Sequence, residues 1–232
     1  MIDTTTPKGK LIAAALKLAE TRAWSDVSLL EIADAAQMPL DEVRRAFGSK
    51  SQVLAAFMRS IDDDVLKRAP TKVSEGGRRD ALFEVIMSRL EALAPYKIAL
   101  KSIAKAPPAD SALIIPYLNA QRWMLTAAGI NADGASGLLR TGGLGSLYAS
   151  VFRTWLDDDD PGHARTMAAL DRRLRRGESA IRSFDDAVSG ITRIANDLPK
   201  VVSETFGSIF KRASSRTPKE QTDRDPGTSG MV

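Results

Sequence analysis

Residues 28 to 57 read SLLEIADAAQMPLDEVRRAFGSKSQVLAAF, and their spacing decides the fold. Ser28 with Glu31 three residues on forms a capping box, in which hydroxyl and carboxylate satisfy the free N–H groups that open a helix. That helix carries Ile32 and Ala36 inward. Pro39 fits the first turn of a third helix, where a missing N–H costs nothing, and Asp41 and Glu42 suit the positive end of its dipole. The third helix closes near Gly48. Ser49 then caps a longer fourth one, whose Leu54, Phe57, Ile61 and Val65 recur at helical spacing until Pro70 stops it. Upstream, residues 8 to 24 place Ile12, Leu16, Ala19 and Ala23 on one stripe, with Trp24 at its end as the plug of a small core. Three short helices with a tight connection between the second and third are the arrangement of a helix-turn-helix unit.

The rest of the chain keeps the same period, and no run alternates at the spacing of a strand, so the fold class is all-α. Helices are predicted at about 78–94, 96–106, 110–128, 136–156 and 161–176, punctuated by Pro95, Pro107, Pro108, Gly129 and Pro161. Together they make a helical bundle. The predicted organisation is a helix-turn-helix domain at 1–50, a connecting helix at 51–70, and a bundle at 78–177 for ligand binding and dimerisation. A helical extension at 178–212 and a polar tail at 213–232, predicted to be disordered, follow.

With 232 residues, 44% of them hydrophobic and 27% charged, the chain can bury a core without staples. The absence of cysteine excludes disulfide scaffolds, thiolate metal sites and cysteine nucleophiles. The opening MIDTTTPKGK lacks an apolar stretch behind a basic start, and no run is long enough to span a bilayer, which predicts a cytoplasmic protein. The net charge of +4 is uneven: residues 1–60 carry +1, residues 61–160 carry −1 and residues 161–232 carry +4. The block holding the helix-turn-helix is nearly neutral, so strong sequence-independent affinity for DNA is not expected of it.

Chemistry-bearing constellations are few. Asp157 to Asp160 lack the alternation, central glycine and closing Glu of a calcium loop, and Asp160 before Pro161 reads as a helix N-cap. His163, the only histidine, has no nucleophile placed beside it, and Gly143-Leu-Gly145 lacks the third glycine and the strand of a dinucleotide loop. No enzyme, metal or cofactor is therefore expected. Met87, Leu90, Ile103, Tyr117, Met124, Tyr148 and Phe152 are candidates for lining an apolar pocket between bundle helices, against the simpler reading that each is core. Gly137, Gly142, Gly143 and Gly145 allow close helix approach or room for a ligand. Leu198, Val202, Phe206, Ile209 and Phe210 form an apolar stripe, to be buried on the protein's own bundle, on a partner or on a membrane surface.

The stretch 28–57 resembles the N-terminal domain of the tetracycline-repressor (TetR) family of transcriptional regulators, with Ile32, Ala33, Ala36, Phe47, Gly48, Ser49, Lys50 and Leu54 in register. The resemblance implies double-stranded DNA as partner, at an operator of palindromic form. Residues 39 to 45, with Pro39, Leu40, Asp41, Glu42, Arg44 and Arg45, would lie in the major groove, and Ser28 and Lys50 near phosphates. Five positions depart from the family pattern: Gln37 stands where the family usually has Gly, Pro39 where it has Ser, Asp41 and Glu42 where it has small or polar residues, and Arg44 where it has a phosphate-binding Tyr. The stretches 78–105, 122–130 and 146–178 are similar to the C-terminal half of TetR proteins. They are more specifically similar to the TetR-fold accessory proteins of coenzyme Q (ubiquinone) biosynthesis, which bind lipid, chiefly through Trp155-Leu156-Asp157-Asp158, Thr166-Met167 and Leu170 to Arg173. These resemblances imply a homodimer through residues 136–176 and a ligand-responsive regulator. The alternative they leave open is a lipid-binding, membrane-peripheral accessory protein with a vestigial helix-turn-helix, whose C-terminal helix touches the membrane.

Overall fold

A computed structural model describes residues 2–69, 77–106 and 111–177. The first helix, α1 (Pro7–Thr21), is capped by Thr6, whose hydroxyl accepts from the Gly9 N–H at 3.1 Å. It buries Leu11, Ile12, Ala15, Leu16 and Ala19. Ala23, expected on that stripe, is exposed. The helix ends at Thr21, Arg22 is extended, and a 3-10 turn at Trp24–Asp26 swings Trp24 into the core in its place. Two short helices follow, α2 (Leu29–Ala35) and α3 (Leu40–Ala46), and then α4 (Lys50–Arg68), which buries Val53, Leu54, Phe57, Ile61 and Val65.

The bundle comprises α5 (Gly77–Leu93), α6 (Lys97–Lys105), α7 (Ile114–Ala127), α8 (Gly134–Leu156) and a ninth helix, α9, over 164–177. Proline explains one shifted start: α6 is preceded by a 3-10 turn at Ala94–Tyr96 that holds Pro95. A second 3-10 turn, Ser111–Leu113, precedes α7. The start of α9 at 164 lies later than the sequence predicts, because Pro161 and Gly162 form a turn and His163 has a φ of +52°. Asp160 still caps it, its carboxylate accepting from Gly162 N at 3.3 Å and Ala164 N at 3.0 Å.

α1 packs against α2, α3, α4 and, most broadly, α6, while α4 continues into contact with α5 and α7. Ser102 on α6 rivets that junction: its hydroxyl donates to Arg22 O at 2.8 Å and accepts from Trp24 N at 3.0 Å. α8 lies along α7 and touches α5 and α6. Two of the bundle glycines allow close approach. A Cβ at Gly137 would fall 2.2 Å from the backbone of Ala132, and one at Gly145 would meet the Tyr117 ring at 3.3 Å, whereas Gly142 and Gly143 face open space. No helix of the described residues is long and apolar enough to cross a membrane. The predicted segments 178–212 and 213–232 lie outside the described residues, and with them Leu198, Val202, Phe206, Ile209 and Phe210.

Candidate nucleic-acid interface

The two helices of the helix-turn-helix are fixed at both ends. At the start of α2, Ser28 N donates to Glu31 Oε2 at 2.8 Å and Glu31 N donates to Ser28 Oγ at 3.2 Å, which completes the capping box. Arg22 pairs with the same carboxylate at 2.5 Å. The hydrogen bond from Arg22, joined by those from Ser28, holds the Glu31 carboxyl down to about 2. At the end of α2, Met38 N donates to Ala33 O at 2.9 Å and Gln37 N to Asp34 O at 3.0 Å, the paired bonds of a Schellman turn. Such a turn needs a left-handed residue, and Gln37 supplies it at φ +52°. A side chain there costs about 1–2 kcal/mol relative to glycine's free access to that region. Pro39, expected within the first turn of α3, is instead its N-cap: its backbone is extended, with ψ 147°, and its carbonyl accepts from Glu42 N and Val43 N.

Val43 is 1% exposed and anchors α3 to the core. With about 100° per residue, its burial turns positions 41 and 45 away from the protein. There Arg45 Nη2 donates to Asp41 Oδ2 at 2.7 Å, and both side chains remain 71% exposed. Arg44 is exposed, Glu42 half-buried, and neither has a partner among the described residues; Leu40 is exposed beside them. The six candidates from Pro39 to Arg45 thus share one short helix, with its outward face open to solvent.

Lys50 is a correction. Expected at a phosphate, its ammonium is committed to the protein: it donates to Trp24 O at 2.7 Å, Val27 O at 2.8 Å and Ser25 O at 3.4 Å, and lies 4.9 Å from the centre of the Trp24 ring. Three donors on three carbonyls use up the group. Lys50 is therefore a clamp that ties the start of α4 to the turn before α2. Ser28 is likewise occupied, as a cap. The sequence reading missed Lys8, an exposed cation with no partner among the described residues, at the rim of a cleft of about 510 Å³ shared with Phe47, Gln52 and Arg59. Nothing in the apolar period marks such a residue. It becomes visible only when α1 is set beside the start of α4.

The bundle holds the second set of candidates. Met87, Leu90, Met124 and Tyr148 are buried, Ile103 and Phe152 are half-buried against the same core, and Tyr117 is exposed at its edge. Tyr117, Tyr148, Phe152 and Trp155 form an aromatic row with ring centres 6.5, 6.0 and 5.5 Å apart. None of the seven lines the 510 Å³ cleft or a second one of about 430 Å³ between α1 and α6. Their surroundings are also less apolar than the sequence predicts. Arg89 on α5, 3% exposed, donates through Nε to Asp62 Oδ1 on α4 at 2.7 Å and through Nη1 to the Tyr148 hydroxyl on α8. Burial pushes the Asp62 carboxyl up, with the Arg89 guanidinium pulling against it. Burial raises both phenols, Tyr117 and Tyr148, as well. Close by, Gln121 is fully buried with its Oε1 unsatisfied.

No family model matches the sequence, and no curated protein is significantly similar to it. Solved structures do match. The chain aligns with a TetR transcriptional regulator from Nitrosomonas europaea at 22% identity and a TM-score of 0.56, over 74% of this chain and 97% of the other. A TetR transcriptional regulator from a Rhodococcus species aligns at 20% identity and a TM-score of 0.52, over 71% and 93%. A TetR-family transcriptional regulator from Streptomyces coelicolor aligns at 17% identity and a TM-score of 0.54, over 89% and 97%. The architecture is therefore that of a helix-turn-helix unit carried on a helical bundle, and its fold is the TetR fold.

Proposed function

We propose that this chain is a TetR-type DNA-binding transcriptional regulator, with α3 as the helix that enters the major groove. The observation that carries the proposal is the outward face of α3: exposed polar side chains on a helix set between the Schellman turn that ends α2 and the Lys50 clamp at the start of α4, with α2 itself fixed by its capping box. A rigid mount with a solvent-facing set of donors and acceptors is what direct base readout requires. Arg44 and Lys8, exposed and without a partner among the described residues, would supply cations for phosphates in place of Lys50. The TetR fold of three solved regulators supports the same function.

The partner arrangement we propose is a homodimer through residues 136–176. Leu138 and Leu139 are exposed on α8, Gly142 and Gly143 leave open space above it, and Met167 is exposed on α9. Small residues between exposed apolar ones let a second copy approach closely. An apolar ligand among Met87, Leu90, Ile103, Tyr117, Met124, Tyr148 and Phe152 would favour one dimer geometry over another and change the spacing of the two α3 helices. The Arg89 bridge supports that coupling, because it ties α5 and α8 to Asp62 on α4, the helix that starts in the DNA-binding unit.

The test is a selection of genomic fragments by the purified full-length protein at about physiological salt, since low salt alone simulates binding. Enrichment of a palindromic site, weakened across sequences by Arg44→Ala, is the expected result. No enrichment would overturn the DNA-binding reading.

A further inference from the structure

Asp41 and Arg45 pose a problem for a helix that faces DNA. A carboxylate there meets phosphates of its own sign, and an exposed pair one turn apart adds too little stability to account for its presence. The geometry gives it another use. Arg45 spends one N–H of Nη2 on Asp41 Oδ2 at 2.7 Å, which leaves the other N–H of Nη2 to pair with a neighbouring nitrogen as parallel donors, and its Nε and Nη1 have no partner among the described residues. The second oxygen of Asp41 is free in the same sense. The exposed pair therefore presents a fork of donors beside an acceptor, held in fixed relation by the ion pair and turned outward by the burial of Val43.

In the major groove the edge of a G·C pair shows two acceptors, N7 and O6 of guanine, and then a donor, the N4 amine of cytosine. An A·T pair shows an acceptor, a donor and an acceptor, and would set the adenine amine against the guanidinium. We propose that Asp41 and Arg45 act as one composite reader that fixes a G·C pair in each half-site, Arg45 donating to guanine and Asp41 accepting from the cytosine amine of that pair or of the adjoining step. Asp41 also fixes the guanidinium before DNA arrives, so that less side-chain freedom is lost on binding. The acid that argues against sequence-independent binding is thereby a specificity determinant. The inference rests on the DNA-binding reading above.

The test takes the fragment enriched by the full-length chain and replaces each half-site position by all four bases. Affinities of wild type, Arg45→Ala, Asp41→Ala and Arg44→Ala are measured at one salt concentration, with melting temperatures to confirm that each variant is folded. Wild type is expected to require G·C at one position per half-site by about tenfold to a hundredfold. Arg45→Ala should erase that requirement, Asp41→Ala should reduce it, and Arg44→Ala should lower affinity without changing it. A site bound by wild type whose base preferences are unchanged in Arg45→Ala and Asp41→Ala would overturn the inference while leaving the regulator reading intact. A wild-type chain that selects no fragment would overturn both.

Discussion

The unit built by α1 to α4 and the bundle built by α5 to α9 bury different atoms. Among the described residues, the first buries only hydrophobic side chains and Gly9, from Leu11 to Val65. Arg89, Gln121, Thr141, Asp158 and Thr166, the buried polar and charged residues, all lie in the second. So do Gln121 Oε1, Trp155 Nε1, Asp158 Oδ1 and His163 Nδ1, buried polar atoms without a partner among the described residues. A core of closely packed apolar side chains, such as Leu11, Trp24, Ile32 and Phe57, has one good packing and holds one geometry. A core that buries polar side chains holds them through specific hydrogen bonds, as Arg89 is held to Asp62 and Tyr148 and Thr166 to Asp158. The contrast fits the proposal of a rigid DNA-reading unit attached to a responsive one, and the Arg89–Asp62 bridge is one of the contacts that join the two, beside the broader junction of α1 with α6.

Breaking that bridge should have the largest effect. Arg89→Met leaves Asp62 half-enclosed without its partner and should cost about 3–5 kcal/mol, read from denaturant unfolding. Adding Asp62→Leu should recover most of the loss, because two apolar side chains need no pairing. Lys50→Met comes next: losing a charged donor to the Trp24 and Val27 carbonyls should cost about 1.5–3 kcal/mol, and the salt dependence of the proposed DNA binding should keep its slope, since the ammonium is already spent on carbonyls.

A smaller effect separates two turns of one design. α7 ends in the same Schellman pattern as α2, with Ile130 N on Leu125 O and Gly129 N on Thr126 O, but there a glycine holds the left-handed position at φ +69°. Gln37→Gly should relieve the strain of a left-handed side chain but add glycine's own entropic cost on folding, for a net stabilisation of up to about 1 kcal/mol, a rise of about 2–4 °C in Tm, and Gly129→Gln should do the reverse. The last prediction concerns acid. Because the folded Glu31 carboxyl is depressed to about 2 from an ordinary 4.5, its stabilisation is complete above 4.5 and is lost as the pH falls from 4.5 towards 2. Glu31→Gln should flatten the pH dependence of Tm in that window.

Most of the helix-turn-helix unit was legible because its signals are local. Ser28 and Glu31 lie three residues apart, and Leu54, Phe57, Ile61 and Val65 sit on the stripe their spacing assigns. The errors came from contacts across long separations. Ala23 left its stripe because α1 stops two residues earlier, at Thr21. Lys50 looked free because its carbonyl partners lie 23 to 26 residues upstream, in a turn that periodicity does not describe. Arg89 sits within EVIMSRLEAL, where a charge between apolar residues reads as solvent-facing, and only folding brings Asp62 and Tyr148 to it from 27 and 59 residues away. The Asp41–Arg45 pair stands one helical turn apart in the sequence, but its outward direction required knowing that Val43 is buried.

The most direct measurement is a hydroxyl-radical footprint of the full-length protein on its selected DNA. Two protected patches on one face of the duplex, separated by one helical turn or a multiple of it, are the expected result, as two α3 helices of the proposed dimer would leave. A single patch, or protection spread evenly along the fragment, would contradict it.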